Sequence, residues 1–243
     1  MINIISFGAG QNSTAMIIWM KNNNIPVDNI IFADTGNEMP ETYEFLKEFK
    51  IWCLIKEIPF NIVTSKLGNL KSYYESQKLI PYRMFRHCTH KFKVIPIDNY
   101  VKEKYGKKTE IDMYMGISVE EKKRCDKITG RKPITYHFPL VDENIDRNGC
   151  VEIIKKEGLS VPVKSGCYFC PFQTKRIWVE LYKKHKDLFD ISNKFEKNGR
   201  AYPDGNFMGN MTLETLKKII TEQKSLKDFE EDVKLPQCVY CHT

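Results

Sequence analysis

Short apolar runs alternate with amphipathic stretches along the first half of the chain. The runs INIISF, NIIFAD, FNIVTS and EIDMYMGI are typical of buried β-strands. Between them, apolar residues recur at helical spacing, which predicts helices over residues 14–22, 40–51, 67–78 and 94–106. Strands that alternate with helices indicate an α/β fold with a doubly wound, Rossmann-like parallel sheet, which binds ligands at the carboxyl ends of its strands.

The pattern changes after about residue 133. A short strand, a loop and a helix are predicted within YHFPLVDENIDRNGCVEIIKKEGL, and further helices within TKRIWVELYKKHKDLFDISNKFEK and LETLKKIITEQKS. Between and after these segments lie the turn GCYFCPF and the tail LPQCVYCHT. We therefore predict an α/β domain over residues 1–132 and a helical, cysteine-bearing appendage over residues 133–243.

Composition and charge narrow the class of protein. With 243 residues, 42% of them hydrophobic, the chain can bury a substantial core. It has no apolar run of about 18 residues and no basic stretch before an apolar one at its start, so we expect a cytoplasmic protein without a membrane partner. The net charge of +7 is compatible with nucleic-acid or nucleotide contact, and equally with a lysine-coated surface.

The stretch SFGAGQNSTAM predicts a strand, a tight turn and the start of a helix. Its small residues Gly8, Ala9 and Gly10 would let backbone N–H groups approach a phosphate closely, next to a helix N-terminus. The stretch has neither the G-x-x-x-x-G-K-[ST] pattern nor the G-x-G-x-x-G pattern. A phosphate-binding turn of another kind is therefore expected.

Four motifs, in order, resemble one known family. FGAGQNS resembles the F-S-G-G-x-D-S pyrophosphate loop of the adenine nucleotide alpha-hydrolase superfamily. FADTGNEMPETYEF resembles the D-T-G-x-x-x-P-E-T-Y-x-F stretch of phosphoadenylylsulfate (PAPS) reductase relatives, RHCTHKFKVIPIDNYV their C-x-x-x-x-K-x-x-P stretch, and GISVEEKKR their G-I-x-x-x-E-x-x-R loop. PVKSGCYFCPF and CVYC look like a branch of that family common in phages and mobile elements.

The resemblance implies an adenine nucleotide, ATP or an adenylyl sulfate, held with Mg²⁺. The nucleotide-binding residues that it implies are Ser6, Gly8, Ala9, Gly10, Asn12, Ser13, Thr14, Asp34, Thr35, Gly36, Lys91, Lys93, Gly116 and Arg124. The loop departs from the family pattern at three positions, where Gly8 replaces serine, Ala9 glycine and Asn12 aspartate. Asparagine can coordinate a cation only through its carbonyl and brings no charge, so Asn12 is the candidate catalytic residue on which nucleotide cleavage depends.

Eight cysteines are many for a reducing compartment, and four of them form CxxC pairs. Cys167 with Cys170 and Cys238 with Cys241 could close a four-thiolate zinc site or hold an iron–sulfur cluster. The resemblance aligns Cys88 with a cluster-binding cysteine pair, which implies a [4Fe-4S] cluster held by Cys88, Cys167, Cys170 and a tail cysteine, with Zn²⁺ as the alternative. The other tail cysteine, Cys238 or Cys241, is then a candidate catalytic nucleophile. The isolated cysteines Cys53, Cys125 and Cys150 are predicted to be small buried residues.

Three functions remain open at this point. The first is a PAPS reductase-like enzyme that splits ATP into AMP and pyrophosphate and couples this to sulfur transfer, with a nucleic acid (tRNA or DNA) as acceptor. It would need a sulfur donor or reductant protein as partner. The second is reduction of an adenylyl sulfate (PAPS or APS) by a tail cysteine, and the third is a non-catalytic nucleotide sensor or binding module. The sequence indicates no oligomeric state.

Overall fold

The computed structural model describes residues 1–83, 86–128, 130, 132–199 and 205–222. These residues separate into two compact units. The first unit comprises residues 1–66 and 89–166, and the second comprises residues 67–88 and the described residues from 167 onward. The predicted division into residues 1–132 and 133–243 stays a prediction.

Five parallel strands of the described residues form one sheet in the first unit. They are β1 (Ile2–Phe7), β2 (Asn29–Asp34), β3 (Phe60–Thr64), β4 (Ile111–Met115) and β5 (Ile134–His137), in the order β3-β2-β1-β4-β5. β1 to β4 lie within the predicted apolar runs, whereas β5 begins at Ile134, ahead of the segment from Tyr136 in which a short strand was predicted. The all-parallel order, with helices between the strands, confirms the predicted α/β, doubly wound fold.

Helices follow one another along the rest of the chain. They are α1 (Gln11–Asn22), α2 (Pro40–Ile55), α3 (Leu70–Ser76), α4 (His87–Thr89), α5 (Ile95–Tyr105), α6 (Pro139–Asp142), α7 (Arg147–Lys156), α8 (Lys175–Lys184), α9 (Lys186–Asn198) and α10 (Leu213–Thr221). A π-helical turn (His90–Val94) precedes α5, and a 3₁₀ helix (Val119–Lys127) follows β4. Among the described residues, no helix combines the length and the apolar character that crossing a membrane requires.

The central strands are apolar on both faces, as expected of a sheet covered on both sides. Ile5 and Phe32 pack on one face with residues of α1 and α2, whereas Ile4 and Ile31 pack on the other face with residues of α5. All four side chains are at most 1% exposed. This two-sided core fixes the strand register, because a shift by one residue would exchange the two faces.

The second unit has a core of aromatic side chains. Trp178 stacks on Phe207 with ring centroids 5.6 Å apart, and the edge of Phe189 packs against the same indole. The helical spacing predicted within residues 174–197 corresponds to two helices, because His185 leaves the helical conformation and separates α8 from α9. This bend lets Phe189 of α9 pack back onto Trp178 of α8.

Candidate functional site

The turn after β1 lies at the point in the sheet where the order of successive strands reverses. From β1 the chain crosses toward β2 and β3, whereas β4 and β5 lie on the other side of β1, so the carboxyl ends of β1 and β4 flank a topological switch point. Ala9 in this turn has a left-handed φ of 52°, which costs a residue other than glycine roughly 1–2 kcal/mol. Gly10 then begins α1 without a side-chain cap. The backbone N–H groups of this helix start are therefore available to a ligand.

Gly116 holds the end of β4 directly against the start of α1. A Cβ atom on Gly116 would lie 2.4 Å from Ser13 Cα and 2.5 Å from Ser13 N. These neighbours are backbone atoms, so they cannot rotate away. Glycine at this position is thus required for the loop after β4 to reach the first turn of α1.

Asn12 lies at the centre of a buried polar cluster. Its Nδ2 donates to Glu121 Oε2 at 2.9 Å and to Ser118 Oγ at 3.1 Å. Glu121 Oε1 accepts from Arg124 Nη1 at 2.9 Å and lies 3.7 Å from Arg147 Nη2. Asn12, Glu121 and Arg124 are each at most 8% exposed. The amide therefore joins α1 to an ion pair in the 3₁₀ helix.

The two hydroxyls that follow Asn12 stabilise the turn itself. Ser13 Oγ and Thr14 Oγ1 both donate to the carbonyl of Gly10, at 3.1 and 3.0 Å. Ser6 is buried at the end of β1. Ser13 and Thr14, two of these three predicted ligand residues, therefore use their hydroxyl hydrogens within the turn. Their role in ligand binding would be to fix the conformation of the helix start.

The carboxyl end of β2 lies at the same edge of the sheet. Asp34 Oδ1 accepts from Gly36 N at 2.8 Å and from the Tyr43 hydroxyl at 2.9 Å. Burial raises the pKa of Tyr43, and the hydrogen bond and charge of Asp34 raise it further, so Tyr43 stays a neutral donor. Asp34 thereby shapes the exposed turn at Gly36, which has a positive φ of 72°.

A buried glutamate gathers two more of the predicted residues. Glu38 Oε1 accepts from Thr35 Oγ1 at 3.0 Å and lies 3.3 Å from Lys93 Nζ. Lys93 belongs to the π-helical turn, where the carbonyl of Lys91 accepts from Ser65 Oγ at 3.0 Å. Lys93 thus lies close to the loop that follows the carboxyl end of β2. Its partner Glu38 was not identified from the sequence.

Three predicted metal-binding cysteines belong to the second unit. In the GCYFCPF turn, Cys170 N donates to Cys167 O at 3.0 Å. Tyr74 has a raised pKa, first because it is buried and then because the charges of Cys88 and Cys167 act on its hydroxyl. Arg83 Nε donates to Pro171 O at 2.7 Å, and its charge acts on Cys170. Cys88, Cys167 and Cys170 thus all belong to the second unit, with Cys88 and Cys167 near Tyr74 and Cys170 near Arg83.

No three histidine, cysteine, aspartate or glutamate side chains within the described ranges are placed to hold a metal ion. Cys238 and Cys241 lie outside the described residues. Cys53 and Cys150 are buried in the core of the first unit, as predicted, and burial raises the pKa of each thiol to about 12. Cys125 is half-buried against the second face of the sheet.

Some residues around the turn of the first unit and around the cysteines of the second unit were not identified from the sequence. Glu121 carried a signal, because it stands three residues before Arg124 in the GISVEEKKR motif, as in an i, i+3 ion pair. Glu38, Tyr74 and Arg83 carried none, because their partners are distant in sequence or depend on turns that the pattern does not predict.

Comparison with known proteins gives one family match and two similar curated proteins. The model of the phosphoadenosine phosphosulfate reductase domain matches residues 2–124, just over half of the chain. The uncharacterized nin region protein ORF290 of Escherichia phage lambda is 24% identical over 260 residues, covering 91% of this chain and 86% of that protein. The uncharacterized protein MJ0973 of Methanocaldococcus jannaschii is 27% identical over 207 residues, covering 75% of this chain and 46% of that protein.

Two solved structures are similar at low sequence identity. One is phosphoadenylyl-sulfate (PAPS) reductase from Candida auris in a phosphate complex, with a TM-score of 0.44 and 16% identity over 66% of this chain and 74% of that chain. The other is the U34-tRNA thiolase NcsA from Methanococcus maripaludis with its [4Fe-4S] cluster, with a TM-score of 0.48 and 15% identity over 98% of this chain and 76% of that chain.

Proposed function

Because this chain belongs to the phosphoadenosine phosphosulfate reductase domain family, we propose that its first unit binds an adenine nucleotide and that the protein is an enzyme of sulfur chemistry. The observation that carries the proposal is the uncapped start of α1 at the switch point of the sheet. The phosphate or sulfate groups would lie against the N–H groups of residues 8–10, where the helix N-terminus favours negative charge. Lys93 and Arg124 are the cations that the resemblance implies there, and both already pair with carboxylates, Lys93 with Glu38 and Arg124 with Glu121.

The reaction that the site supports best is the reduction of an adenylyl sulfate. The turn binds anions through backbone N–H groups, and position 12 carries an amide where ATP-cleaving relatives would have a carboxylate. A cysteine thiolate would attack the sulfur of the sulfate group, the sulfur–oxygen bond to the nucleotide would break, and the nucleotide would leave. A second thiol would then release sulfite and leave a disulfide, so a reductant protein is required. Cys238 or Cys241 would act as the nucleophile.

A second candidate reaction is ATP-dependent sulfur transfer onto a nucleic acid, tRNA or DNA, with which the net charge of +7 is compatible. An oxygen of the acceptor would attack the α-phosphorus of ATP, and pyrophosphate would leave. A sulfur nucleophile would then displace AMP. Release of pyrophosphate only when both ATP and a nucleic acid are present would identify this reaction.

The cysteines of the second unit have the donor chemistry that thiophilic metals prefer, although no three ligand side chains of the described residues are placed to hold a metal ion. Cys88, Cys167, Cys170 and a tail cysteine would hold a [4Fe-4S] cluster, or Zn²⁺ as the alternative. The cluster would supply redox chemistry, whereas zinc would stabilise the fold only. Anaerobic purification with iron, zinc and sulfide analysis separates the two.

The backbone of the turn offers a direct test of nucleotide binding. Calorimetric titration of the full chain with adenosine 5′-phosphosulfate and with ATP should show saturable binding. Ala9→Gly should keep this binding, because glycine adopts a positive φ without strain. Ala9→Val should lose most of it, because a β-branched residue cannot adopt that conformation. Equal binding by both variants, or no binding by the wild type, would contradict the proposal. Binding of both nucleotides without turnover of either would favour the sensor.

A further inference from the structure

The polar cluster around Asn12 is held together by hydrogen bonds between described residues. Both hydrogens of the Asn12 amide are used, one by Glu121 and one by Ser118. Both oxygens of Glu121 are used as well, because Oε2 accepts from Asn12 and Oε1 accepts from Arg124. Arg147, at the start of α7, adds a second guanidinium 3.7 Å from Oε1.

The orientation of the amide follows from its partner. A carboxylate only accepts hydrogen bonds, so the NH₂ group of Asn12, and not its carbonyl, must face Glu121. The amide of Asn12 and the carboxylate of Glu121 are therefore a matched donor and acceptor. An aspartate in place of Asn12 would offer Glu121 no donor. An aspartate oxygen 2.9 Å from Glu121 Oε2 would set two negative charges side by side in a buried place.

These residues do not fit Mg²⁺ at the position that the family loop implies. Magnesium prefers an octahedral shell of oxygen ligands at about 2.0–2.1 Å. Here the carboxylate faces N–H donors on both oxygens, and its charge is already balanced by Arg124 at 2.9 Å. A cation next to Glu121 would have to displace the amide and approach a guanidinium of the same sign.

We infer that Asn12 and Glu121 form an amide–carboxylate pair that takes the place of a divalent cation, so that this chain binds its nucleotide without one. The second half of this inference rests on the proposed nucleotide binding, whereas the first half concerns the apoprotein alone. Its corollary is that Asn12→Asp creates a pair of carboxylates that a cation must bridge. Asn12 is then the residue that sets the cation requirement of the site.

Manganese binding to the apoprotein tests the pair without any nucleotide. Electron paramagnetic resonance of added Mn²⁺ should show no site above surface background in the EDTA-treated wild type. Asn12→Asp should bind one Mn²⁺ about tenfold or more tighter than the wild type, because two carboxylates face each other. The double variant Asn12→Asp with Glu121→Gln restores one amide and one carboxylate in reversed order, and should return to the wild-type result.

The outcome that overturns the inference is a stoichiometric Mn²⁺ site in the wild type that Glu121→Gln removes. Failure of Asn12→Asp to gain Mn²⁺ would also overturn it. If Asn12→Asp unfolds in EDTA, a rise in its melting temperature with Mn²⁺, absent in the wild type, supports the inference and no rise overturns it.

A nucleotide titration separates this inference from the proposed function. Adenosine 5′-phosphosulfate should bind the wild type with the same Kd in EDTA and in MgCl₂, whereas Asn12→Asp should lose about tenfold in EDTA and recover with Mg²⁺. Binding by the wild type only in MgCl₂ would overturn the inference and leave the proposed function standing. Absence of binding in both buffers would overturn the proposed function, while the Mn²⁺ result would still decide the pair.

Discussion

The two units differ in how the chain assembles their chemistry. In the first unit, the candidate residues 8–14, 34–36 and 116 lie at or directly after the ends of β1, β2 and β4, so neighbouring parallel strands carry them to one edge of the sheet. In the second unit, Cys88 comes from the segment of residues 67–88, and Cys167 and Cys170 follow about eighty residues later along the chain. Local pattern therefore predicts the first site, whereas the cysteines of the second unit come from segments that are distant in sequence.

The largest effect is expected at the cysteines. Cys167→Ser should abolish metal binding by the second unit, because serine is a poor ligand for thiophilic metals and the GCYFCPF turn then keeps only the thiol of Cys170. The matched control is Cys125→Ser, which changes a thiol packed against the core of the first unit and should keep the wild-type metal content. Elemental analysis of anaerobically purified protein measures both. Equal metal content in the two variants would mean that the GCYFCPF turn holds no metal.

The next effect concerns the close packing that supports the turn at residues 8–10. Gly116→Ala should destabilise the first unit by about 3 kcal/mol, because the new Cβ meets backbone atoms of Ser13 at 2.4 Å. Denaturant unfolding measures this loss, and calorimetry at low temperature measures nucleotide binding by the fraction that stays folded. A variant with wild-type stability and wild-type affinity would show that the loop after β4 does not constrain α1.

The smallest of these effects concerns the stability of the second unit and does not involve its cysteines. Glu196 is 4% exposed, and its carboxylate accepts from Phe207 N at 2.8 Å and from Leu213 N at 2.7 Å. Glu196→Gln should cost about 2 kcal/mol, because one backbone N–H loses its acceptor. Chemical denaturation followed by tryptophan fluorescence measures it, since Trp178 lies in the same core.

The pH dependence of this loss has a defined sign. Burial raises the pKa of Glu196, so the folded state holds this proton more tightly than the unfolded chain does. The contribution of Glu196 to stability therefore falls as pH rises from about 4.3, the unfolded value, through the raised pKa of the folded protein. The stability difference between the wild type and Glu196→Gln should shrink over this window, and a difference that grows with pH would contradict the assignment.

Much of the fold followed from the sequence because its signals are local. The apolar runs predicted β1 to β4, and Pro40 and Gly106 marked the start of one helix and the end of another where the structure has them. The break at His185 was not predicted, because the apolar spacing continues across it and only the packing of Phe189 onto Trp178 reveals the bend. Trp178, with its ring fully buried, belongs to the core of the second unit.

The candidate site was predicted in position but not in its contacts. The glycine-rich turn, Asp34 and Gly116 were identified as its parts because they follow strands or stand in motifs. The role of Asn12 was left open, because its partner Glu121 is 109 residues away in sequence. The structure identifies that partner. Asn12 is therefore better described as the donor to a buried carboxylate than as an aspartate that has lost its charge.

The central claim is that the turn at residues 8–10 binds the anionic groups of an adenine nucleotide. The most direct measurement is the change in backbone amide chemical shifts of ¹⁵N-labelled protein as adenosine 5′-phosphosulfate is added. The account predicts that the largest saturable shifts belong to Gly8, Ala9, Gly10 and the first turn of α1. Saturable shifts confined to residues outside the carboxyl edge of the sheet, with these amides unmoved, would contradict it.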